Sequence, residues 1–313
     1  MSSRKFSVII ANYNRADLLE QAIQSVLDQT YQDFELVVFD DGSHDHSYDV
    51  IEYYCAIAPD KVRLFTHDGR TNKGIVTTYL EAISRAQGEY VAFLEHDDRW
   101  SPSYLENKAK VFESHPDVGV VFSPYRVVSQ GWFGKDMIIR QWLLRLTIKK
   151  GKPFDNFQNL LKSNNVATFS CFATRKSLLD DLPDPPVRLL AFDWWTLTQL
   201  STRSLFYYDN SSYTLWRWSR QSTIGSQQFK EHKERGCNYM ELMYREVNAK
   251  SDKLSTANDQ TFHESQGDFA YFIDYYRKPG PIKFMKFFVR APVWALAASA
   301  SLVINFLKFR SNS

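Results

Sequence analysis

The stretch Tyr90-Val91-Ala92-Phe93-Leu94-Glu95-His96-Asp97-Asp98 decides how this chain is read. The four residues after Tyr90 form an apolar run of the kind that fills a strand buried on both faces of a sheet. That run passes directly into three carboxylates within four residues. Acids crowded at the end of a buried strand are unfavourable unless a positive group neutralises them. A divalent cation carrying a phosphorylated ligand meets that need, because hard cations prefer carboxylate oxygens. An Asp-Asp turn that closes the strand ahead of a helix at Ser101-Pro102 accounts for the same letters. Both readings stand at this point.

Upstream, the chain alternates strand and helix patterns. Residues 6–11 read as a first strand, 34–39 as a second and 62–65 as a short third. Between them Leu19, Ala22, Ile23, Val26 and Leu27 share one helical face, and Ile51, Tyr54, Cys55 and Ala58 share another. Asp17 with Glu20 three residues on reads as a capping box for the first of these helices. Ile75, Tyr79, Ala82, Ile83 and Ala86 stripe a third helix that Gly88 ends. This rhythm predicts a doubly wound, mostly parallel α/β sheet with its ligand at the carboxyl ends of the strands.

Three strand ends then meet one crevice. The first delivers Asn12-Tyr13-Asn14, the second Asp40-Asp41-Gly42-Ser43 and the fourth the acids from Glu95 to Asp98. An aromatic ring and two acidic groups suit a nucleoside diphosphate: the ring stacks on a base, Asp40 accepts from a base N–H, and the second group holds a cation. Tyr13-Asn14 and Asp41-Gly42 also fit ordinary turns. No glycine fingerprint follows the first strand and no phosphate-loop lysine motif occurs, which excludes dinucleotide and P-loop readings.

Composition narrows the class. The 313 residues suffice for one large α/β domain with an appendage, and 44% hydrophobic with 15% aromatic content supplies its core. A net charge of +2 argues against a nucleic-acid partner. Three cysteines (Cys55, Cys171, Cys237) without metal spacing suit a reducing compartment, and residues 6–11 are too short for a signal-peptide core. His44 and His46 read as a surface loop after the Gly-Ser turn.

Taken in order, the segments around Asn12-Tyr13-Asn14-Arg15, Ser25-Val26-Leu27-Asp28-Gln29-Thr30, Asp40-Asp41-Gly42-Ser43, Asn72-Lys73-Gly74, Ala86-Gln87-Gly88-Glu89-Tyr90 and Glu95-His96-Asp97-Asp98 resemble family 2 glycosyltransferases with the GT-A fold. The likeness covers about residues 5–225. It implies a Rossmann-like GT-A domain over residues 1–225, with a nucleotide-sugar half at 1–98 and an acceptor half at 99–225. It also implies that Ala11, Tyr13, Asp40, Asp41, Lys73, Glu95, His96 and Arg217 bind the nucleotide sugar. Asp97 matches the metal-binding last acid of the family's D-x-D motif, and Asp98 the acid after it. The cofactor implied is Mg²⁺ or Mn²⁺. Here Glu95 replaces the first Asp, giving E-x-D. Asp193, in Ala191-Phe192-Asp193-Trp194-Trp195, matches the family's catalytic base, and an Asp there also suits a helix N-cap. In Trp216-Arg217-Trp218-Ser219 the family's tyrosine and histidine are replaced while the arginine remains.

Beyond the strand ends, residues 104–114 read as a helix, 118–123 and 168–175 as strands, and 131–163 as a basic, aromatic insertion on the acceptor rim. Residues 226–313 read as a helical C-terminal region. Within it, residues 281–310 are basic and aromatic, and the apolar run 291–307 sits at the lower limit of the roughly 17–25 residues that span a bilayer. A helix lying on anionic lipid suits it better, with a buried helix pair as the alternative. The expectation is an inverting, metal-dependent enzyme, cytoplasmic or peripheral on the inner face of the membrane. It would move a sugar from a nucleotide-diphosphate sugar to a glycan or lipid-linked oligosaccharide in surface polysaccharide (O-antigen or capsule) synthesis. A non-catalytic scaffold of the same fold is the alternative. A sugar nucleotidyltransferase would need a glycine-rich loop after the first strand, which residues 12–17 do not provide.

Overall fold

A computed structural model describes residues 4–128, 148, 151–162, 164–185 and 192–217. Its centre follows from two sequence periods. The strands β1 (Phe6–Asn12), β2 (Phe34–Asp40), β3 (Val62–Thr66) and β4 (Tyr90–Phe93) lie parallel in the order β3-β2-β1-β4. Alternate residues go to opposite faces of a sheet. Ile9, Val37, Val91 and Phe93 therefore join one core cluster, and Val8, Ile10, Leu36, Val38 and Ala92 the other. Helices α1 (Ala16–Leu27) and α2 (Ser47–Ile57) cover the second face with Leu19, Ile23 and Ile51, while α3 (Ile75–Arg85) covers the first with Tyr79, Ala82 and Ile83. Each buried aliphatic or aromatic side chain contributes about 1.5–3 kcal/mol, so two apolar faces hold these strands firmly. The register runs from Phe6↔Phe34 to Asn12↔Asp40, which ends the two strands side by side.

The second half adds β5 (Arg99–Trp100), α4 (Tyr104–Ser114), β6 (Val118–Phe122), β7 (Tyr125–Val128) and α5 (Phe157–Lys162). After it come β8 (Phe172–Arg175), α6 (Lys176–Asp180), α7 (Phe192–Ser201), β9 (Leu205–Tyr208) and β10 (Thr214–Arg217). The main sheet has seven strands in the order β3-β2-β1-β4-β8-β6-β9, with β8 antiparallel to both neighbours. A small sheet, β5-β10-β7, stands beside the end of β4. Under it Lys108 of α4 is fully buried, 3.0 Å from Asp209 and hydrogen-bonded to Ser123. Burial pushes Asp209 up, but the Lys108 charge and bonds from Ser212 and the Ser211 amide outweigh it and hold the carboxyl at about 2.

The α/β architecture expected from the sequence is present, with local differences. Asp17 is not the cap of α1: the helix already includes Ala16, and Asp45 Oδ2 from the next loop accepts the Ala16 N–H at 3.0 Å. Residues 168–175 are not strand throughout. Thr168 Oγ1 accepts the Ser170 N–H and bends residues 169–171 into a 3₁₀ turn, so pairing with β6 begins at Phe172↔Phe122. Ser101-Pro102 lies ahead of the helix, which starts at Tyr104 after the two residues of β5. Most of the insertion at 131–163 and everything after Arg217, including the segment 281–310 expected to lie on lipid, lie outside the described residues. Among the described residues, no helix is long and apolar enough to cross a membrane.

Candidate functional site

At the end of β2 the acids face inward. Asp40 Oδ1 accepts from Asn12 Nδ2 at 3.0 Å and from the Ser43 hydroxyl at 2.5 Å, and Oδ2 accepts the Ser43 amide at 2.9 Å. Asp41 clasps the loop before α3, taking the Lys73 amide on Oδ1 at 2.7 Å and the Gly74 amide on Oδ2 at 3.0 Å. Buried His67 lies 3.2 Å from Asp41 Oδ1 and 3.1 Å from Glu81 on its other side. Gly42 is required between them. Its φ is +71°, and a Cβ there would stand 2.5 Å from the Arg70 carbonyl oxygen. Tyr13, 41% exposed, leaves its ring open to a stacking partner, and exposed Lys73 reaches Glu81 at 3.6 Å.

The turn after β4 is built differently. The Asp98 amide donates to the Glu95 carbonyl at 3.0 Å and closes it. His96 Nδ1 donates to the Ala11 carbonyl at 3.1 Å, which ties the turn to the end of β1. The Glu95 amide donates to Ser170 Oγ at 2.9 Å, and its carboxylate accepts from the Thr168 hydroxyl at 2.9 Å. Asp98 is fully buried; Oδ1 accepts the Arg217 amide at 2.8 Å, while Oδ2 has no hydrogen-bond partner among the described residues. One carboxylate oxygen from each of Glu95, Asp97 and Asp98 can be chosen so that all lie within 4.8 Å of one another.

Charge in this turn is under strain. Burial, then the charges of Asp97 and Asp193, push Glu95 up to about 8. Burial and the Asp97 and Glu95 charges drive Asp98 well above the carboxylate range. Three acids in one small volume cannot all ionise unless a cation joins them. The orphaned Asp98 oxygen and an all-oxygen donor set fit a hard divalent ion. Arg217 adds a guanidinium nearby, with Nη2 donating to Gln21 of α1 at 3.0 Å.

Asp193 stands across from this turn in the first turn of α7. Phe192 packs against Tyr79, Phe169 and Trp195, which fixes the start of the helix. Asp193 Oδ2 accepts from Asn164 Nδ2 at 3.1 Å. Burial raises its carboxyl to about 6, against the pull of the Trp194 and Asp193 amides and of Asn164. A carboxylate held there is suited to accept a proton near neutrality. Asp193 is not the N-cap the sequence also allowed, because the helix already includes Phe192, although its carboxylate still receives the Trp194 amide. Its charge adds to the upward push on Glu95, and the short stretch from Asn164 to Thr168 touches both side chains.

The structure thus gathers Ala11, His96, Glu95, Asp97, Asp98 and Arg217 in one place, with Asp193 nearby. Asp40, Asp41 and the Lys73 amide form the adjoining wall. Sequence reading missed Asn164, Thr168 and Ser170, whose only signal was polar residues interrupting an apolar run. His46 is exposed and pairs with Asp49 at 3.2 Å, and it is not one of the three residues of the acidic cluster.

Residues 7–183 match the family described as Glycosyl transferase family 2. An uncharacterized glycosyltransferase, alr2836 of Nostoc sp., is 44% identical over 117 residues, 37% of this chain and 35% of that protein. The Escherichia coli UDP-Glc:alpha-D-GlcNAc-diphosphoundecaprenol beta-1,3-glucosyltransferase WfaP is 29% identical over 161 residues, 51% of this chain and 57% of that one. The matches span from about a fifth to a little over half of the length of the curated relatives. Among solved structures, S. aureus TarS 1-349 in complex with UDP-GlcNAc superposes with a TM-score of 0.61 at 20% identity, covering 94% of this chain and 83% of that one. At that identity the likeness is one of fold.

Proposed function

The chain belongs to glycosyl transferase family 2, and on that premise we propose that it moves a sugar from a nucleotide-diphosphate sugar to an acceptor hydroxyl with inversion. The observation that carries this reading is the pairing of two carboxylate environments on one crevice. Glu95, Asp97 and Asp98 crowd within 4.8 Å and need a cation, while Asp193 stands apart at about 6. Asp97 and Asp98 would hold a Mg²⁺ or Mn²⁺ ion, with Glu95 steadied by Thr168 beside them. When bound, such an ion supplies positive charge against the departing diphosphate.

The chain's own residues do the rest. Tyr13 stacks on the base, and Asp40 and Asp41 hold the wall against which the base and ribose rest. Lys73 and Arg217 put positive charge beside the diphosphate. Asp193 takes the proton from the acceptor hydroxyl as that oxygen attacks the anomeric carbon from the face opposite the leaving group. The phosphate–sugar bond breaks with its electron pair on the diphosphate.

WfaP is named for a lipid-linked acceptor, which supports a lipid-linked oligosaccharide acceptor in surface polysaccharide synthesis. The basic, aromatic segment 281–310 would bring the enzyme to anionic lipid, and flotation of the full chain with and without that segment tests it. The test of the reaction is a screen of nucleotide sugars with Mg²⁺ and Mn²⁺, run beside Asp193→Asn. Transfer should fall about 10²–10⁴-fold in that variant with nucleotide affinity near normal. Full transfer in Asp193→Asn, or no turnover of any donor by the parent chain, defeats the reading, the second outcome in favour of a scaffold.

A further inference from the structure

One short stretch, residues 164–170, touches both the acidic turn and Asp193. At one end Asn164 Nδ2 donates to Asp193 Oδ2 at 3.1 Å. At the other, the Thr168 hydroxyl donates to Glu95 Oε2 and Ser170 Oγ accepts the Glu95 amide, both at 2.9 Å. The direction of each contact is fixed by its surroundings. Asn164 Oδ1 accepts the amides of Val166 and Ala167 at 3.1 Å, so Nδ2 is the edge that faces Asp193. Thr168 Oγ1 already accepts the Ser170 amide at 3.0 Å, so its proton points to Glu95.

The stretch is also locked in place. Asn165 and buried Asn156 exchange amide hydrogen bonds at 2.8 and 3.0 Å. The Ser170 carbonyl receives Trp100 Nε1 and the Thr214 hydroxyl, each at 2.7 Å. Ala167 has a φ of 87°, rare for an L residue, and Asn164 holds both its amide and its carbonyl. A strained backbone persists where surrounding bonds over-determine it, and such places cluster at working sites.

We propose that residues 164–170 are a strap that sets the spacing between the base and the donor-site acids, with Asn164 and Thr168 as positioning residues for transfer. The proposal rests on the reading of Asp193 as base. Inversion needs the base, the acceptor oxygen and the anomeric carbon held in one arrangement, and a misplacement of about 1 Å costs on the order of 10²-fold in rate. Neither side chain of the strap exchanges a proton or an electron pair with substrate.

Asn164→Asp keeps the acceptor for the two loop amides and turns an anionic oxygen toward Asp193. Thr168→Val removes the hydroxyl at nearly constant volume, and Thr168→Ser restores it. Among the described residues, the titratable groups whose charge couples to Asp193 are Glu95 from the end of β4 and Tyr79 from α3, both unchanged in these variants. Transfer is measured against pH, with donor KM and thermal melts, beside Asp193→Asn. In Asn164→Asp, kcat should fall by about 10²-fold and the acidic limb of its profile should move to higher pH, because the added anion favours the neutral base. Thr168→Val should lower kcat while Thr168→Ser recovers most of it. A wild-type kcat and limb in Asn164→Asp overturns the strap. So does a Thr168→Ser no faster than Thr168→Val, a comparison that holds even where Asn164→Asp does not fold. A slow Asp193→Asn beside strap variants that match the parent refutes the strap alone. An Asp193→Asn at full rate removes the base, and the proposal with it.

Discussion

Asp40 and Asp41 close β2, and Glu95, Asp97 and Asp98 follow β4, with β1 between the two strands. Both groups sit at carboxyl ends of the same parallel sheet, yet their charge is met in opposite ways. Each oxygen of the first pair receives a hydrogen bond from a neighbouring amide or side chain. In the second group Asp98 Oδ2 receives none among the described residues, and Glu95 is pushed up to about 8. Charge that the chain meets itself makes a wall. Charge left wanting fits the place proposed for a cation. A motif of adjacent acids says that a strand has ended at a ligand crevice; the donors around it say which task the acids have.

The contrast breaks most visibly at Asp97. Asp97→Asn should lower transfer by about 10²–10³-fold, the loss typical of removing one electrostatic contact to a developing charge, with its melting temperature held. Chelation should reproduce that loss in the parent chain and add little to the variant. Asp41→Ala should do the reverse. It orphans the Lys73 and Gly74 amides, at about 1–3 kcal/mol each, and Tm should drop by roughly 4–24 °C. Kinetic loss without destabilisation in Asp41→Ala, or the converse in Asp97→Asn, would invert the comparison.

Two smaller effects sharpen it. Asp193 is raised from 3.8 to about 6, so the protonated form is favoured in the folded state. Its contribution to stability is fully present below 3.8 and is lost as pH rises through 6. Activity runs the other way, because the base must be ionised: kcat/KM should rise with pH to a plateau with its midpoint near 6. A limb absent there, in a chain that transfers sugar, would move the base elsewhere. Least in size, Asp98→Asn keeps the acceptor for the Arg217 amide and spares folding the cost of protonating a buried acid that the crowded turn holds neutral. The metal-free variant should melt about 2–4 °C higher, the shift given by roughly 1 kcal/mol, while donor binding weakens.

Sequence made the first half legible because its signals are local. Val8 to Ala11, Leu36 to Phe39 and Val91 to Phe93 announce buried strands, and the stripes of α1 and α3 announce the helices that cover them. The acids after β4 were legible for the same reason, since they are contiguous. What stayed hidden depends on distant partners. Asp45 relieves Asp17 of the cap on α1 from 29 residues beyond Ala16. β5 is two residues long and exists through its pairing with Thr214 and Leu215, which no short window contains. Thr168 and Ser170 looked like breaks in a strand because their hydroxyls serve the turn after β4, across 73 and 75 residues. The inward facing of Asp40 was equally invisible, since Asn12 reaches it only once β1 and β2 are in register.

The bond from the Arg217 amide to Asp98 spans 119 residues, and that number has a consequence in time. Ends that far apart meet late, because loop closure must be met before the contact rewards it. During synthesis β1 to β4 can pair while Arg217 is still unmade, at about 5–20 residues per second. The half-built sheet then carries its acids without the strand that seats Asp98. On the proposed reading donor binding matures after the scaffold, and pulse-labelling during refolding should find the Arg217 amide protected after those of β1 and β2.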